Sequence, residues 1–287
     1  MIAIWKHELK NYFHTLTAYV FGGFLLAAVG IGAMLYNIQA AVSNFEFVLS
    51  FSSLIFVVIV PLLTMRVIAE ERKQKTDQLL YSLPITSAQI VVGKYLALIT
   101  VYLIPLCIIA VYPLIFARFG DVYLPTSYGS ILAFFIMGAA FLALGVFMSS
   151  LTDNQGFAAG IGVAVILVNY YSVSLSEYVS KTALGSAVSL CVIILALGTV
   201  IKHLTQNENL AYGVSFVLTA ATAITCLTDR TKFEGLLPAI MTELSLFDRF
   251  TGFINGVFDM TSIVYYGSVI VFFLFLSIQS LEKRRYN

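Results

Sequence analysis

The sequence predicts an all-α, polytopic transmembrane helix bundle of about eight spans, with six as the alternative, because apolar blocks near the roughly 20-residue length of a membrane helix recur along the chain. Composition predicts the same class. Of 287 residues, 60% are hydrophobic and only 11% charged, and the mean hydropathy is +0.93. A soluble domain is about half apolar and a quarter charged, so an ordinary water-soluble fold and a disordered tail are both excluded. The third observation is the placement of Lys and Arg, which fall mostly on one side of the predicted spans.

Residues 1–14 come first. Ile2, Trp5, Leu9, Tyr12 and Phe13 share one helical face, while Lys6, Lys10, Asn11 and His14 share the other. This spacing predicts an amphipathic interfacial helix along the inner leaflet, anchored by Trp5, Leu9 and Phe13 with Lys6 on its basic flank. The predicted spans then cover 15–36, 48–67, 95–117, 128–150, 157–175, 183–201, 211–228 and 263–281. The sixth and seventh are short, rich in Ser, Thr and Gly, and joined by a polar link. If that hairpin does not span, six remain and both termini keep the same side. With both termini inside, 11 of the 16 Lys and Arg lie inside and five outside, while seven of the 15 acidic residues lie inside and eight outside. The formal net charge of +1 is thus the sum of about +4 inside and −3 outside, which satisfies the positive-inside rule. It also excludes a strongly basic nucleic-acid binder.

The whole chain, 1–287, reads as one transmembrane domain with three non-spanning regions of particular interest. The inner loop 69–94 reads AEERKQKTDQLLYSLPITSAQIVVGK. Its charged start, 70–75, is predicted to extend the second span as a helix. Thr76 offers an N-cap for a short helix carrying Leu79, Leu80 and Leu83, and Pro84 stops that helix. Thr86 and Gln89 form a capping box that opens the next helix. The three leucines make an apolar ridge on a charged base, and such a ridge needs a partner. The inner turn 149–156 holds the N-cap types Thr152, Asp153 and Asn154, which predict a helix start there. The outer segment 229–262 reads as one or two amphipathic helices, either on the outer leaflet or packed on the bundle.

No catalytic pattern is present. Cys107, Cys191 and Cys226 lack paired spacing, His7, His14 and His203 lack metal-ligand spacing, and Gly93-Lys94 lacks the upstream glycine of a P-loop. The centres of the spans are almost free of ionisable groups, where a proton- or ion-coupled transporter needs them. Asn169, Thr219, Thr222 and Thr225 read as helix-helix hydrogen bonds, and Gly156 and Gly160, with Gly138, Gly145 and Gly162, as close-packing positions. A stand-alone secondary transporter or channel is the alternative reading, and a membrane-embedded enzyme ranks last.

The run Thr64-Met65-Arg66, Ala69-Glu70-Glu71-Arg72, Thr76-Asp77-Gln78-Leu79-Leu80, Pro84-Ile85-Thr86 and Gly93-Lys94 resembles the pattern of ABC-2-type transporter permeases, as does Ser149-Ser150-Leu151-Thr152-Asp153-Asn154-Gln155. Leu246-Phe247-Asp248-Arg249-Phe250, Gly256-Val257-Phe258-Asp259 and 280–285 are similar to the gliding-motility branch of that family. The resemblance implies a permease subunit of an ATP-driven exporter, multi-pass in a bacterial cell membrane and not itself an enzyme. ATP and Mg would be held by a separate ABC ATP-binding subunit, with no cofactor on this chain. A second permease subunit, identical or different, and an auxiliary membrane-anchored protein complete the implied partners. Residues 1–14 would be the elbow helix. Glu70, Glu71, Arg72, Thr76, Asp77, Leu79, Leu80, Leu83 and Pro84 would form the ATPase-coupling segment, and Thr152, Asp153, Asn154 and Gln155 a second inner contact.

Overall fold

Every element that the computed structural model describes is helical, and it describes residues 1–76, 85–205, 212–213, 215–222 and 233–286. In chain order they are α1 (Ile2–His14), α2 (Thr17–Ala33) with a π-helical turn at Met34–Gln39, α3 (Glu46–Ser53), α4 (Phe56–Thr64), α5 (Ala69–Lys73), α6 (Ser87–Ile109) and α7 (Tyr112–Phe116). Then follow α8 (Leu124–Leu151), α9 (Gln155–Tyr178), α10 (Ala183–Thr205), α11 (Leu236–Glu243), α12 (Leu246–Ile254) and α13 (Met260–Tyr286). Among the described residues, five helical stretches are long and apolar enough to cross a membrane: Thr17–Gln39, Ser87–Phe116, Leu124–Leu151, Gln155–Tyr178 and Met260–Arg284. The pair α3 and α4 makes a sixth if it is one span. These stretches overlap six of the eight expected spans. Of the remaining predicted hairpin, α10 is apolar over Ala183–Ala196, 212–213 and 215–222 are helical, and 211, 214 and 223–228 lie outside the described residues.

The expected second span is not one straight helix, since α3 and α4 meet at 59°. Two serines account for the break. Ser52 Oγ donates to Val48 O at 2.7 Å and Ser53 Oγ donates to Ser50 O at 2.7 Å, so hydroxyls compete with the backbone ladder just before the bend. Pro61, inside α4, removes a further ladder donor. The charged run 70–75 also departs from expectation. It does not continue α4 but forms the separate short α5, followed by Lys75 with a φ of 56°.

The chain divides into two compact units, Met1–Val168 with Arg249–Asn287, and Asn169–Asp248. In the first, α8 is the central helix. Its side chains are buried without interruption from Met137 to Ser150, and α3, α4, α6 and α13 pack on it. Small residues allow this. A Cβ added at Gly138 would lie 2.6 Å from the Tyr102 hydroxyl, and one at Gly162 would lie 3.2 Å from Pro61 Cβ, whereas Gly160 has open space within 4 Å. The close-packing role expected of Gly138 and Gly162 is therefore visible, while among the described residues no atom lies within 4 Å of a Cβ added at Gly160. Tyr102 Oη donates to Phe134 O at 2.8 Å and Tyr95 Oη to Ala139 O at 3.1 Å, which pins α6 along α8. Phe56, Tyr102, Phe134 and Phe141 stack around that seam. From α12, Phe250 packs its ring on Phe134, and Phe253 O accepts from Ser130 Oγ at 3.0 Å, so this stretch of the outer segment packs on the bundle.

In the second unit Ala183, Ala187 and Phe233 form a small apolar core. Asn169 clamps the junction of α11 and α12, its Nδ2 donating to Leu244 O at 3.1 Å and its Oδ1 accepting from Leu246 N at 3.0 Å.

Candidate functional site

The residues singled out from sequence gather, where described, at the end of the first unit that carries both chain termini. The helix α1 lies along α6. Trp5, half-buried, donates from Nε1 to Thr100 Oγ1 at 3.1 Å. Leu9 and Phe13 are half-buried, with the Phe13 ring edge-on to Tyr19, and Lys6 is exposed. The close seating of α1 needs Gly93, because a Cβ there would lie 3.1 Å from Ile4 Cγ2 and 3.3 Å from Met1 O.

One turn along α1, Glu8 reaches Lys94. The Lys94 side chain is only 2% exposed, and its Nζ donates to Glu8 Oε1 at 2.7 Å, Glu71 Oε1 at 2.7 Å and Val67 O at 2.9 Å. All three ammonium protons are thus matched, which is the condition under which a buried ammonium is tolerated. The three acceptors come from α1, from α5 and from the turn before α5. Beside them opens a cleft of about 500 Å³ lined by Glu8, Asn11, Tyr12, Arg66, Glu70 and Thr76 among others. Burial pushes the Tyr12 phenol well above its ordinary range, and the carboxylates of Glu8, Glu70 and Glu71 push it further the same way.

Ile68 to Arg72, where the expected coupling residues begin, are held from the other side by the last turn of α8. Ser149 Oγ accepts from Ile68 N and Ala69 N, each at 3.1 Å, and so satisfies donors at the N-terminus of α5. Arg72, buried, donates from Nη1 to Ser150 O. Glu70 accepts from Gln74 Nε2 at 3.3 Å, and Thr76 Oγ1 donates to Glu71 O at 3.2 Å. On the far side of the segment the capping box at α6 forms as expected, Thr86 Oγ1 accepting from Gln89 N and Gln89 Oε1 from Thr86 N, each at 3.3 Å. Asp77, Leu79, Leu80, Leu83 and Pro84 lie outside the described residues.

In the second inner contact, Asn154 is the cap of α9, its Oδ1 accepting from Gly156 N at 2.9 Å. Thr152 Oγ1 accepts from Asn154 N at 3.2 Å, and Gln155 opens α9. Exposed Asp153 pairs with Arg284 of α13 at 2.6 Å, and Ser280 of α13 donates to Ser150 O at 2.9 Å. Ser150 O therefore accepts both from Arg72 of α5 and from Ser280 of α13.

Sequence reasoning missed Glu8 and Lys94. A signal was present: Glu8 follows Trp5 by three residues and precedes Tyr12 by four, which places a carboxylate on the apolar face of α1. Among the described residues no three His, Cys, Asp or Glu side chains are grouped to hold a metal ion. The described residues of the site are joined by polar ties between α1, α5, α6 and α8.

Residues 10–284 match the family described as ABC-2 family transporter protein. The chain belongs to the ABC-2 transporter family. Comparison with curated proteins yields no match. As an ABC-2 protein with five to six candidate membrane helices, it is a multi-pass membrane protein and the permease subunit of an ABC transporter, not itself catalytic. Members of the ABC-2 family generally work with an ATP-binding subunit.

Proposed function

We propose that this ABC-2 permease is the membrane half of an ATP-driven exporter in a bacterial cell membrane, in the gliding-motility branch, with both termini in the cytoplasm. A separate ABC ATP-binding subunit, holding ATP and Mg, docks on the segment 76–84 through Leu79, Leu80 and Leu83. Thr152, Asp153, Asn154 and Gln155 form its second contact, and α1 is the elbow helix. A second permease subunit completes the pathway, and an auxiliary membrane-anchored protein can join it.

The observation that carries this reading is the anchoring on both sides of the docking segment. Thr76 is tied back to α5, α5 is tied to the 149–156 turn by Ser149 and Arg72, and Thr86 opens α6 with a full capping box. A push on 77–84 would therefore enter two helices whose ends are fixed, rather than dissipate in loose chain.

The test is co-purification with the ATP-binding subunit after charging the ridge with Leu79→Asp and Leu80→Asp. The doubly substituted permease is expected to elute monodisperse and to lose the ATP-binding subunit. Retained association by a monodisperse variant refutes the docking assignment.

A further inference from the structure

We propose that Lys94 is the positioning residue that locks the elbow helix α1 to the base of the coupling segment, so that α1, α5 and α6 respond to the ATP-binding subunit as one body. The inference rests on the docking role proposed for 76–84, and adds to it a residue outside that segment.

The argument is geometric. A helix lying beside a bundle can follow a push or slide past it, and which occurs depends on the ties across the seam. Between α1 and α6 there are three kinds. Gly93 lets the backbones approach, Trp5 and Thr100 share one hydrogen bond, and Lys94 bonds Glu8. Only the last also reaches a third element, because the same ammonium holds Glu71 of α5 and the carbonyl of Val67. Thr76, which leads into 77–84, donates to the backbone carbonyl of that same Glu71. One cation thus joins the first helix of the chain, through Glu71, to Thr76, the first residue of the docking segment.

The cluster also has a built-in asymmetry, two carboxylates around one cation. Removing Lys94 alone leaves Glu8 and Glu71 facing each other in a poorly solvated space, where like charges repel strongly. Lys94→Met by itself would therefore confound misfolding with loss of the clamp. The double variant Glu8→Gln/Lys94→Met removes that repulsion, and Glu71, 25% exposed, keeps access to water.

The experiment uses the full-length permease, assembled in nanodiscs with the ATP-binding subunit identified by the Leu79 and Leu80 experiment. The double variant is expected to elute monodisperse and to bind that subunit as the parent does. The stimulation of ATP turnover on assembly is expected to fall ~tenfold, within the range typical of coupling between sites. A second arm replaces the ionic clamp by a covalent one. Glu8→Cys/Lys94→Cys, in a background with the native cysteines changed to serine, removes the same two charged groups and puts a thiol on each side of the seam where Glu8 and Lys94 meet, for joining by a short bifunctional methanethiosulfonate. Joining that pair with the reagent should restore the stimulation, and reductive release should remove it again.

Unchanged stimulation in the double variant overturns the proposal. So does failure of the cross-link to restore it, and so does loss of subunit association, which would place Lys94 in docking rather than in transmission. None of these results is confused with failure of the docking role itself, which shows as retained association in the Leu79→Asp/Leu80→Asp variant.

Discussion

Two identical substitutions on neighbouring helices, Gly145→Ala in α8 and Gly160→Ala in α9, should have opposite effects. Replacing a helical glycine by alanine favours the helix by about 1 kcal/mol, through backbone entropy alone. At Gly160 nothing lies within 4 Å of the added methyl, so that gain stands unopposed. At Gly145 the added Cβ would lie 2.8 Å from Thr64 Cβ and from Thr64 Cγ2, and closer still to Thr64 Oγ1. Real Cβ atoms essentially never come within 3.0 Å of another heavy atom, so something must shift. Rotating Thr64 brings no relief, because all three atoms of its side chain point at the site. The threonine is also buried, with its hydroxyl donating to Val60 O at 2.9 Å. Forcing a methyl into such a core costs about 1–3 kcal/mol, and the propensity gain, common to both variants, cancels in their difference. The two variants should therefore differ by about 1–3 kcal/mol, or roughly 2–12 °C in melting temperature, with Gly145→Ala the less stable. Heating fluorescent-protein fusions in detergent and measuring the surviving monodisperse peak would read the difference. Equal midpoints, or a more stable Gly145→Ala, would refute the packing of α4 against α8 at this seam.

Two further predictions concern polar ties outside the cluster. Asn169→Ala removes both side-chain hydrogen bonds that clamp the α11–α12 junction and should cost about 1–3 kcal/mol, while Asn169→Asp, which keeps the acceptor for Leu246 N but turns a carboxylate oxygen toward Leu244 O, should cost at least as much. Limited proteolysis of the 243–246 junction would reveal the release, and equal cleavage of parent and Asn169→Ala would argue against the clamp. Asp259 caps α13, and hydrogen bonds from the Ser262 hydroxyl and then the Thr261 amide hold its carboxyl below the ordinary value. Because the folded-state value is the lower one, the cap's contribution is complete above the ordinary carboxylate range and is lost as pH falls through the depressed value. The melting-temperature gap between the parent and Asp259→Ala should thus be present at neutral pH and shrink between about pH 5 and pH 3. A gap that does not change with pH would contradict the capping role.

Features that depend on near neighbours in sequence were legible without coordinates. The amphipathic α1 follows from the spacing of Ile2, Trp5, Leu9 and Tyr12. The capping box at Thr86 and the cap at Asn154 follow from side chains that bond backbone two or three residues away. Hydropathy located α2, α6, α8, α9 and α13, because a membrane helix must satisfy its backbone internally and needs a minimum apolar length. The bend between α3 and α4 was not legible. A hydropathy window averages Ser52 and Ser53 into an apolar block, whereas the bend depends on which carbonyls their hydroxyls reach. The outer segment's choice between lipid and bundle was also undetermined, since a stripe of phenylalanines suits either. The Ser130 hydroxyl on Phe253 O and the Phe134 ring on Phe250 decide it, and both partners come from more than 100 residues away.

Lys94 was missed for a different reason, and the reason bears on how the termini-bearing end is held. Counting charges to orient a membrane protein treats each Lys and Arg as a free cation at the moment of insertion. Folding then divides those cations into two kinds. Arg284 and Asp153 remain 42% and 58% exposed, and an exposed pair contributes about 0–1 kcal/mol. Lys94 is 2% exposed with three acceptors, and breaking such a buried tie typically costs about 3–5 kcal/mol, because the partners are left charged and poorly hydrated. The Lys94 cluster and the Arg284–Asp153 pair are therefore not equivalent. The attachment of α13 to the 149–156 turn depends chiefly on Ser280 and the carbonyl of Ser150, and salt should weaken its ion pair readily. The attachment of α1 to α5 and α6 depends on a buried charge that salt screens much less. If rigid coupling is needed anywhere in this permease, the buried tie is where it can be sustained, and it lies between the first helix and the segment proposed to meet the ATP-binding subunit.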